Sequence, residues 1–306
     1  MRPNRRVAIF GADPDWHAKR LTAALAARGA EGVWVALEDC SFEIAGSAGV
    51  LRLPGFDEAL PDGAITRVIS AGTLEQITLR LGILHALGRM SVPVYNDARV
   101  IESTVDKSMT SFLLRQAGVP TPPTWAAESR EVAQRILERE TAAGEKIVLK
   151  PLFGCQGKGL ALIESACELP EPDGVGGVYY LQRFIHTAAP GWRDWRVLVV
   201  GCRAIAAMIR RGRGWVTNVA QAGTCEAASP EGELAELAVA ATRAVGAAYA
   251  GVDLMRDRDG RFVVLEVNSI PAWKGLQSVT EIDIAQTIID DFLSRVPAAR
   301  PCAAAV

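Results

Sequence analysis

"VDLMRDRDGRFVVLEVNSIP", residues 252–271, decides how the chain is read. Two apolar runs flank Asp259-Gly260, the strongest short signal for a hairpin turn. With a two-residue turn there, Arg258 faces Arg261 and Asp253 falls opposite Glu266. Asn268 lies two residues beyond Glu266 and shares its face. Val252, Leu254, Val263, Leu265 and Val267 take the other face, which is apolar enough to pack on a core. A three-residue loop would instead carry Asp253 to the packing face. Opposed Cβ atoms stand about 4.5–5.5 Å apart, so Asp253 and Glu266 repel unless a proton or a cation intervenes. Two readings stay open. Alternating polar residues are normal on a solvated sheet face. Hard oxygen ligands in this cluster also suit Mg²⁺, which takes one or two carboxylates plus substrate phosphate.

A second stretch, KIVLKPLFGCQGKGLALIE (146–164), bears on the choice. Its apolar strand delivers Lys150 into a loop holding Gly154, Gly157, Lys158 and Gly159, and Leu160–Ile163 returns as a strand. Glycines let backbone N–H groups approach phosphate oxygens closely. The loop joins two strands, unlike a P-loop, which opens a helix. Alone, such a loop is more often a turn than a phosphate cradle; the lysine at its entry and the acidic hairpin favour the cradle. Residues 179–218 then place Asp194 and Arg196 at the start of one strand, with Arg210, Arg211 and Arg213 further on and Asn218 close behind. Arginine forks grip phosphate or carboxylate with two hydrogen bonds. A solvated basic strand edge explains the same pattern.

The 306 residues fit one multi-lobed enzyme or two to three small domains, and 49% hydrophobic content supports a sizeable core. A net charge of −2 gives no warrant for nucleic-acid or membrane-surface binding. No apolar run approaches the roughly 20 residues of a membrane span. MRPNRRVAIFG starts basic like a signal peptide, but its short VAIF run reads as a first strand. Six cysteines without a C-x-x-C pair, and only three histidines, suggest reduced thiols in a cytoplasmic protein.

The first third alternates strands (6–10, 32–37, 66–70, 92–95) with helices (16–28, 74–87), which implies a parallel sheet. Loops at the carboxyl ends of such strands bind ligands; GADPDWH, SAGT and NDAR are the candidates, equally readable as plain turns. A helix at 106–117, the Pro-rich GVPTPPT, a helix at 128–143 and a strand at 145–150 follow. An Ala-rich helix covers 231–248 and a last helix 280–295.

Together these residues resemble the ATP-grasp superfamily, specifically its RimK-like α-L-glutamate ligases. The matching pattern runs through STVDKSMTSFLLRQAGVPTPPT, VLKPLFGCQGKGL, LQRFI, DWRVLVVG, AAMIRRGRGWVTN, GVDLMRDRDGRFVVLEVNSIPAWKGLQ and EIDIAQTII, in order. The resemblance implies an α/β chain of α+β lobes, an ATP-grasp fold behind an N-terminal parallel-sheet domain. Residues 1–100 would form that first domain and 101–180 a central subdomain with the glycine loop. Residues 181–296 would form a C-terminal subdomain with the hairpin, and 297–306 a flexible tail.

The resemblance further implies ATP-dependent joining of an amino acid, L-glutamate, to an acidic carboxylate acceptor through an acyl phosphate. The AWKGLQ ending looks closer to members that extend pterin or furan one-carbon carriers than to those that modify peptide ends. ATP would meet Lys107, Lys150, Gly154, Gly157, Lys158 and Gly159; Gln182, Arg183 and Phe184 would hold adenine through their backbone, and Asp194 the ribose. Arg196, Arg210 and Asn218 would be catalytic, and Asp253, Glu266 and Asn268 would carry Mg²⁺, with Mn²⁺ as a substitute. Arg211, Arg213 and Lys274 would serve the acceptor. Two departures stand out: Arg183 replaces a family Glu, and Val216 replaces the Arg of F-R-x-N. An ATP-grasp ligase of another amino acid or dipeptide type is the alternative, and an inactive nucleotide-binding regulator a remoter one. No nucleic acid or membrane partner is expected; a homo-oligomer stays open.

Overall fold

The computed structural model describes residues 5–11, 14–45, 48–57, 59–154, 157–187, 191–217 and 223–297. Asn218 and the expected tail beyond 297 lie outside them. The chain forms two compact units: residues 1–101 with 270–277 and 281–306, and residues 102–269 with 278–280.

In the first unit, β1 (Arg5–Phe10), α1 (Trp16–Ala26), β2 (Ala30–Val35), a hairpin β3 (Ser41–Ala45) and β4 (Ala48–Arg52), β5 (Gly63–Thr66), α2 (Leu74–Arg89) and β6 (Val94–Tyr95) follow in order. The chain then enters α3 (Ala98–Val105). The main sheet runs β2-β1-β5-β6, all parallel. Val7, Ala8, Ile9 and Phe10 are fully buried, the continuous apolar run of a strand covered on both faces. Asp15 caps α1 by accepting from Ala18 N, and Thr73 with Gln76 forms a capping box on α2. The strand expected at 66–70 ends at Thr66 instead; the apolar Val68 and Ile69 extended the sequence signal past it.

In the second unit, α4 (Lys107–Gln116), β7 (Thr124–Ala127), α5 (Arg130–Ala142), β8 (Ile147–Lys150), β9 (Ala161–Ile163) and β10 (Tyr179–Arg183) come first. β11 (Trp192–Val200), β12 (Arg203–Gly212), β13 (Thr224–Ala228), α6 (Gly232–Ala244), β14 (Tyr249–Arg256) and β15 (Phe262–Asn268) follow. Two antiparallel sheets result, β7-β10-β8-β9 and β13-β12-β11-β14-β15. Because β10 pairs with β7 and β8, the sheet boundary falls after Arg183 rather than at 180. Leu234, Ala238, Ala241 and Val245 of the α6 region pack with Val197, Val199, Val252 and Val264 in one core.

The hairpin at 252–268 corrects the expected turn. Asp257 and Arg261 close it around Arg258, Asp259 and Gly260, a three-residue loop. The Asp257 carboxylate accepts from Asp259 N at 2.9 Å and Arg261 N at 3.0 Å, and Gly260 takes φ +81°. That loop alone would turn Asp253 to the packing face. A bulge between Leu254 and Asp253 shifts the register back, so Asp253 does oppose Glu266. The bulge also moves two side chains. Phe262 and Val264 face the core, while Val263 and Leu265, expected there, do not.

The chain finishes with α7 (Lys274–Gln277) and α8 (Ile284–Arg295), which belong to the first unit. That differs from the expected C-terminal subdomain. Helix α8 packs there through buried Phe292, and Tyr95 Oη donates to Asp291 at 2.6 Å. Gly63 permits the approach: a Cβ there would sit 2.7 Å from Phe292 Cζ. No helix among the described residues is long and apolar enough to cross a membrane.

Candidate active site

The acidic hairpin is built into a ladder of opposed charges. In register, Asp194 on β11 faces Arg210 on β12, Arg196 on β11 faces Asp253 on β14, and Asp253 faces Glu266 on β15. Arg210 donates Nε to Asp194 Oδ1 at 2.7 Å and Nη2 to Asp194 Oδ2 at 2.5 Å; the same Nη2 lies 2.9 Å from Asp253 Oδ2. Arg196 grips Asp253 with a second fork, 2.6 and 2.7 Å. Asp253 and Arg210 are only 2% and 3% exposed, so these charges persist because each is paired. Burial works to raise the Asp253 carboxyl, but the Arg196 and Arg210 guanidinia outweigh it and hold it well below the ordinary range. Burial leaves the Asp194 carboxyl raised despite Arg210.

This ladder floors a cleft in the second unit. Its lining includes apolar Val148, Phe184, Ile185, Met255 and Leu265. Leu265 reaches it only because of the bulge. The lining also includes Lys107, Lys150, Lys158 and Glu266, and the charges of Glu266 and Lys107 act on Lys150. Lys107 opens α4, where a cation opposes the helix dipole. Its Nζ instead donates to Leu152 O at 3.1 Å and Gly154 O at 2.9 Å, tying the helix to the glycine loop. Lys150 donates to Gln182 Oε1 at 2.6 Å; burial lowers its ammonium to about 8. Gly157 and Gly159 hold φ +70° and +71°, open to glycine without strain. A Cβ on Gly159 would also stand 2.8 Å from Pro151 Cγ.

The remaining expected residues sort themselves around this cleft. Phe184 borders it and packs edge-on against His186, Trp192 and Trp215. The backbone N–H groups of Arg183 and Phe184, expected to read a base, already donate to Pro123 O and Lys146 O. Ile185 is next along and borders the cleft. The Arg183 side chain leaves it, pairing with buried Glu140 at 2.5 Å and with Glu145 at 3.5 Å. Asp194, expected at a ribose, lines the cleft and anchors Arg210. Arg211 is exposed and paired with Glu226 on β13 at 2.6 Å; Arg213 is exposed. Lys274 belongs to the first unit. Leu265 was missed because it reads as core in a regular hairpin; Met255 shares the face of Asp253 but carries no polar signal. Ile185, Trp192 and Trp215 had no signal of their own.

The donor set fits a hard divalent cation. Glu266 stands beside Asp253, and Asn268 Nδ2 lies 3.1 Å from Glu266 Oε1, so the amide and carboxylate already converge. Asp253 accepts two hydrogen bonds from Arg196 and has Arg210 Nη2 against Oδ2 at 2.9 Å, so most of its carboxylate lone pairs face cations. Glu266 and Asn268 therefore present the oxygens that could hold such an ion, with Asp253 able to share it.

Comparison with known proteins bears on the whole arrangement. The profile of the RimK-like ATP-grasp domain matches residues 104–292. The tetrahydromethanopterin:alpha-L-glutamate ligase of Methanococcus maripaludis is 38% identical over 209 residues, 66% of this chain and 70% of its own. The structure of the ATP-grasp ligase PsnB complexed with minimal precursor aligns with a TM-score of 0.73 at 22% identity, over 95% of this chain and 99% of that one. PsnB complexed with a phosphomimetic variant of that precursor, Mg and ADP gives 0.71 at 20% identity, over 96% and 99%. The two structural likenesses establish the fold.

Proposed function

We propose that this chain, which belongs to the RimK-like ATP-grasp family, is an ATP-dependent ligase that adds L-glutamate to an acidic acceptor in the cytoplasm. The observation that carries the reading is the cleft, whose lining brings three lysines, glycines of the loop and Glu266 together with apolar Val148, Phe184, Met255 and Leu265. That is the chemistry of a nucleotide triphosphate, with its base on the apolar residues and its phosphates at the cations.

In this reading, adenine lies against Leu265, Met255 and Phe184, with its polar edge at Ile185. Lys107, Lys150 and Lys158 hold the phosphates, helped by loop N–H groups. Glu266 and Asn268, with Asp253, would hold Mg²⁺, or Mn²⁺ in its place, which would neutralise phosphate charge. The acceptor carboxylate attacks the γ-phosphorus and ADP leaves, giving an acyl phosphate. The amine of L-glutamate attacks the acyl carbon, loses its proton and expels phosphate, giving an amide. Arg196 and Arg210 fix the acidic ladder beneath the reacting groups and supply preorganised positive charge. The relative's name supports a pterin-type acceptor.

The test is ADP release with ATP, Mg²⁺, a pterin carboxylate acceptor and each of a panel of amino acids, with mass spectrometry of the product. L-Glutamate should give the fastest release and an acceptor heavier by one glutamyl group. ADP release independent of amino acid sinks the ligase reading; release favouring another amino acid sinks the glutamate assignment.

A further inference from the structure

The first unit holds buried polar groups that its own packing leaves unexplained. Arg67 is 4% exposed; among the described residues its one hydrogen bond runs from Nη1 to Pro271 O at 3.1 Å, and its buried Nε has no partner. Thr66 Oγ1 and Trp273 Nε1 are likewise buried without hydrogen-bond partners among the described residues. A carbonyl needs no charge to hold it, and a buried cation without a counter-ion in contact is costly. Asp15 is the nearby anion, but its oxygens already accept from Ala18 N and His17 Nδ1. A second cation, Lys274, is exposed with no ion pair among the described residues, and its charge acts on His17 together with that of Arg67.

The position is informative. Arg67 follows β5, and Asp15 and His17 open α1 after β1. Strands β1 and β5 are parallel neighbours, and the chain passes from β1 to β2 on the opposite side. That is a topological switch point, where open parallel sheets bind ligands beyond their carboxyl ends. His17 is locked between Asp15 Oδ2 at 2.9 Å and the N–H of Trp273, which donates to Nε2 at 3.1 Å. Trp16 and Trp273 brace its ring edge-on at 5.1 and 4.9 Å. The result is a braced wall bearing two cations that have no ion pair among the described residues.

We propose that Arg67 and Lys274 bind a substrate carboxylate beside His17, at the carboxyl edge of the parallel sheet. The assignment rests on the ligase reading, since a glutamate ligase has two carboxylate-bearing substrates, the amino acid and the acceptor. Both share the chemistry, and an experiment separates them.

The chain has three histidines, so full-length protein carrying nitrogen-labelled histidine gives few ring signals, and His17 is assigned by its loss in His17→Asn. L-Glutamate, pteroyl-L-glutamate and inorganic phosphate are titrated at matched ionic strength without nucleotide. A saturable shift of His17 with L-glutamate places the amino acid there; a shift with pteroyl-L-glutamate alone places the acceptor. Lys274→Ala should weaken that binding about tenfold or more, and Arg67→Lys, which keeps charge but loses the fork, should also weaken it. Lys274 is exposed, so its variant carries the test if the Arg67 variant does not fold. No His17 shift with either carboxylate, a shift unchanged in Lys274→Ala, or phosphate binding as tightly as the carboxylates overturns the proposal. Binding without amino-acid-dependent ADP release removes the ligase reading instead, so the two failures are distinct.

Discussion

Arg210→Met is the sharpest perturbation of the acidic ladder. Arg210 is 3% exposed and makes three close contacts with two carboxylates that are themselves almost fully buried. Removing one partner of a buried pair costs about 3–5 kcal/mol, a large share of the roughly 5–15 kcal/mol that holds a domain. The two carboxylates do not suffer equally. Asp253 keeps the Arg196 fork, whereas Asp194 loses its cation and is already raised by burial. Asp194 should therefore be raised further in the variant. A carboxyl raised in the folded state gives stability that is present below its unfolded value and lost as pH rises through the folded one. The variant should thus regain stability as pH falls, by up to about 1.4 kcal/mol per pH unit. Urea unfolding at several pH values reads this directly. Arg210→Met/Asp194→Leu should recover at least half of the loss at pH 7 without restoring turnover. A loss below about 1 kcal/mol, or one independent of pH, refutes the claim that the ladder holds an uncompensated Asp194 once Arg210 is gone.

Further outcomes are specific. Gly159→Ala forces φ +71° and a 2.8 Å approach to Pro151, so ATP KM should rise severalfold while the melting temperature moves little; an unchanged KM contradicts a phosphate loop. Lys150 is lowered to about 8 by burial, so ATP affinity should fall as pH rises through that value, and Lys150→Met should abolish the step in a nucleotide titration. Arg183→Glu should destabilise by about 2 kcal/mol or more by crowding carboxylates beside Glu140 and Glu145, with partial rescue by Glu140→Arg in chemical denaturation. Gly63→Ala should cost about 1–3 kcal/mol in the same assay by pushing Phe292 off the sheet.

Much of this was readable from sequence, for reasons that also mark where reading stops. VAIF and IVL announce covered strands because nothing polar interrupts them. The hairpin's existence and its acidic face were legible, and Asp253 does face Glu266, but through two irregularities that cancel. Asp257 capping the turn could have been suspected from its side chain; the bulge at Leu265 has no signature in Val-Val-Leu-Glu. The pairing of Arg210 with Asp194, and of Arg196 with Asp253, depends on long-range register, which local patterns do not encode. Asn268 stays at Glu266 as its spacing implied. Helix α8 carries an apolar face but no address, so its packing in the first unit was out of reach.

The central claim is that an acceptor carboxylate becomes an acyl phosphate in this cleft. Heavy oxygen placed in the acceptor carboxylate, with ATP, Mg²⁺ and L-glutamate, tests it most directly. The account predicts one labelled oxygen in each phosphate released alongside ADP, with the transfer lost in Glu266→Gln. Phosphate that carries no label while the amide still forms contradicts it.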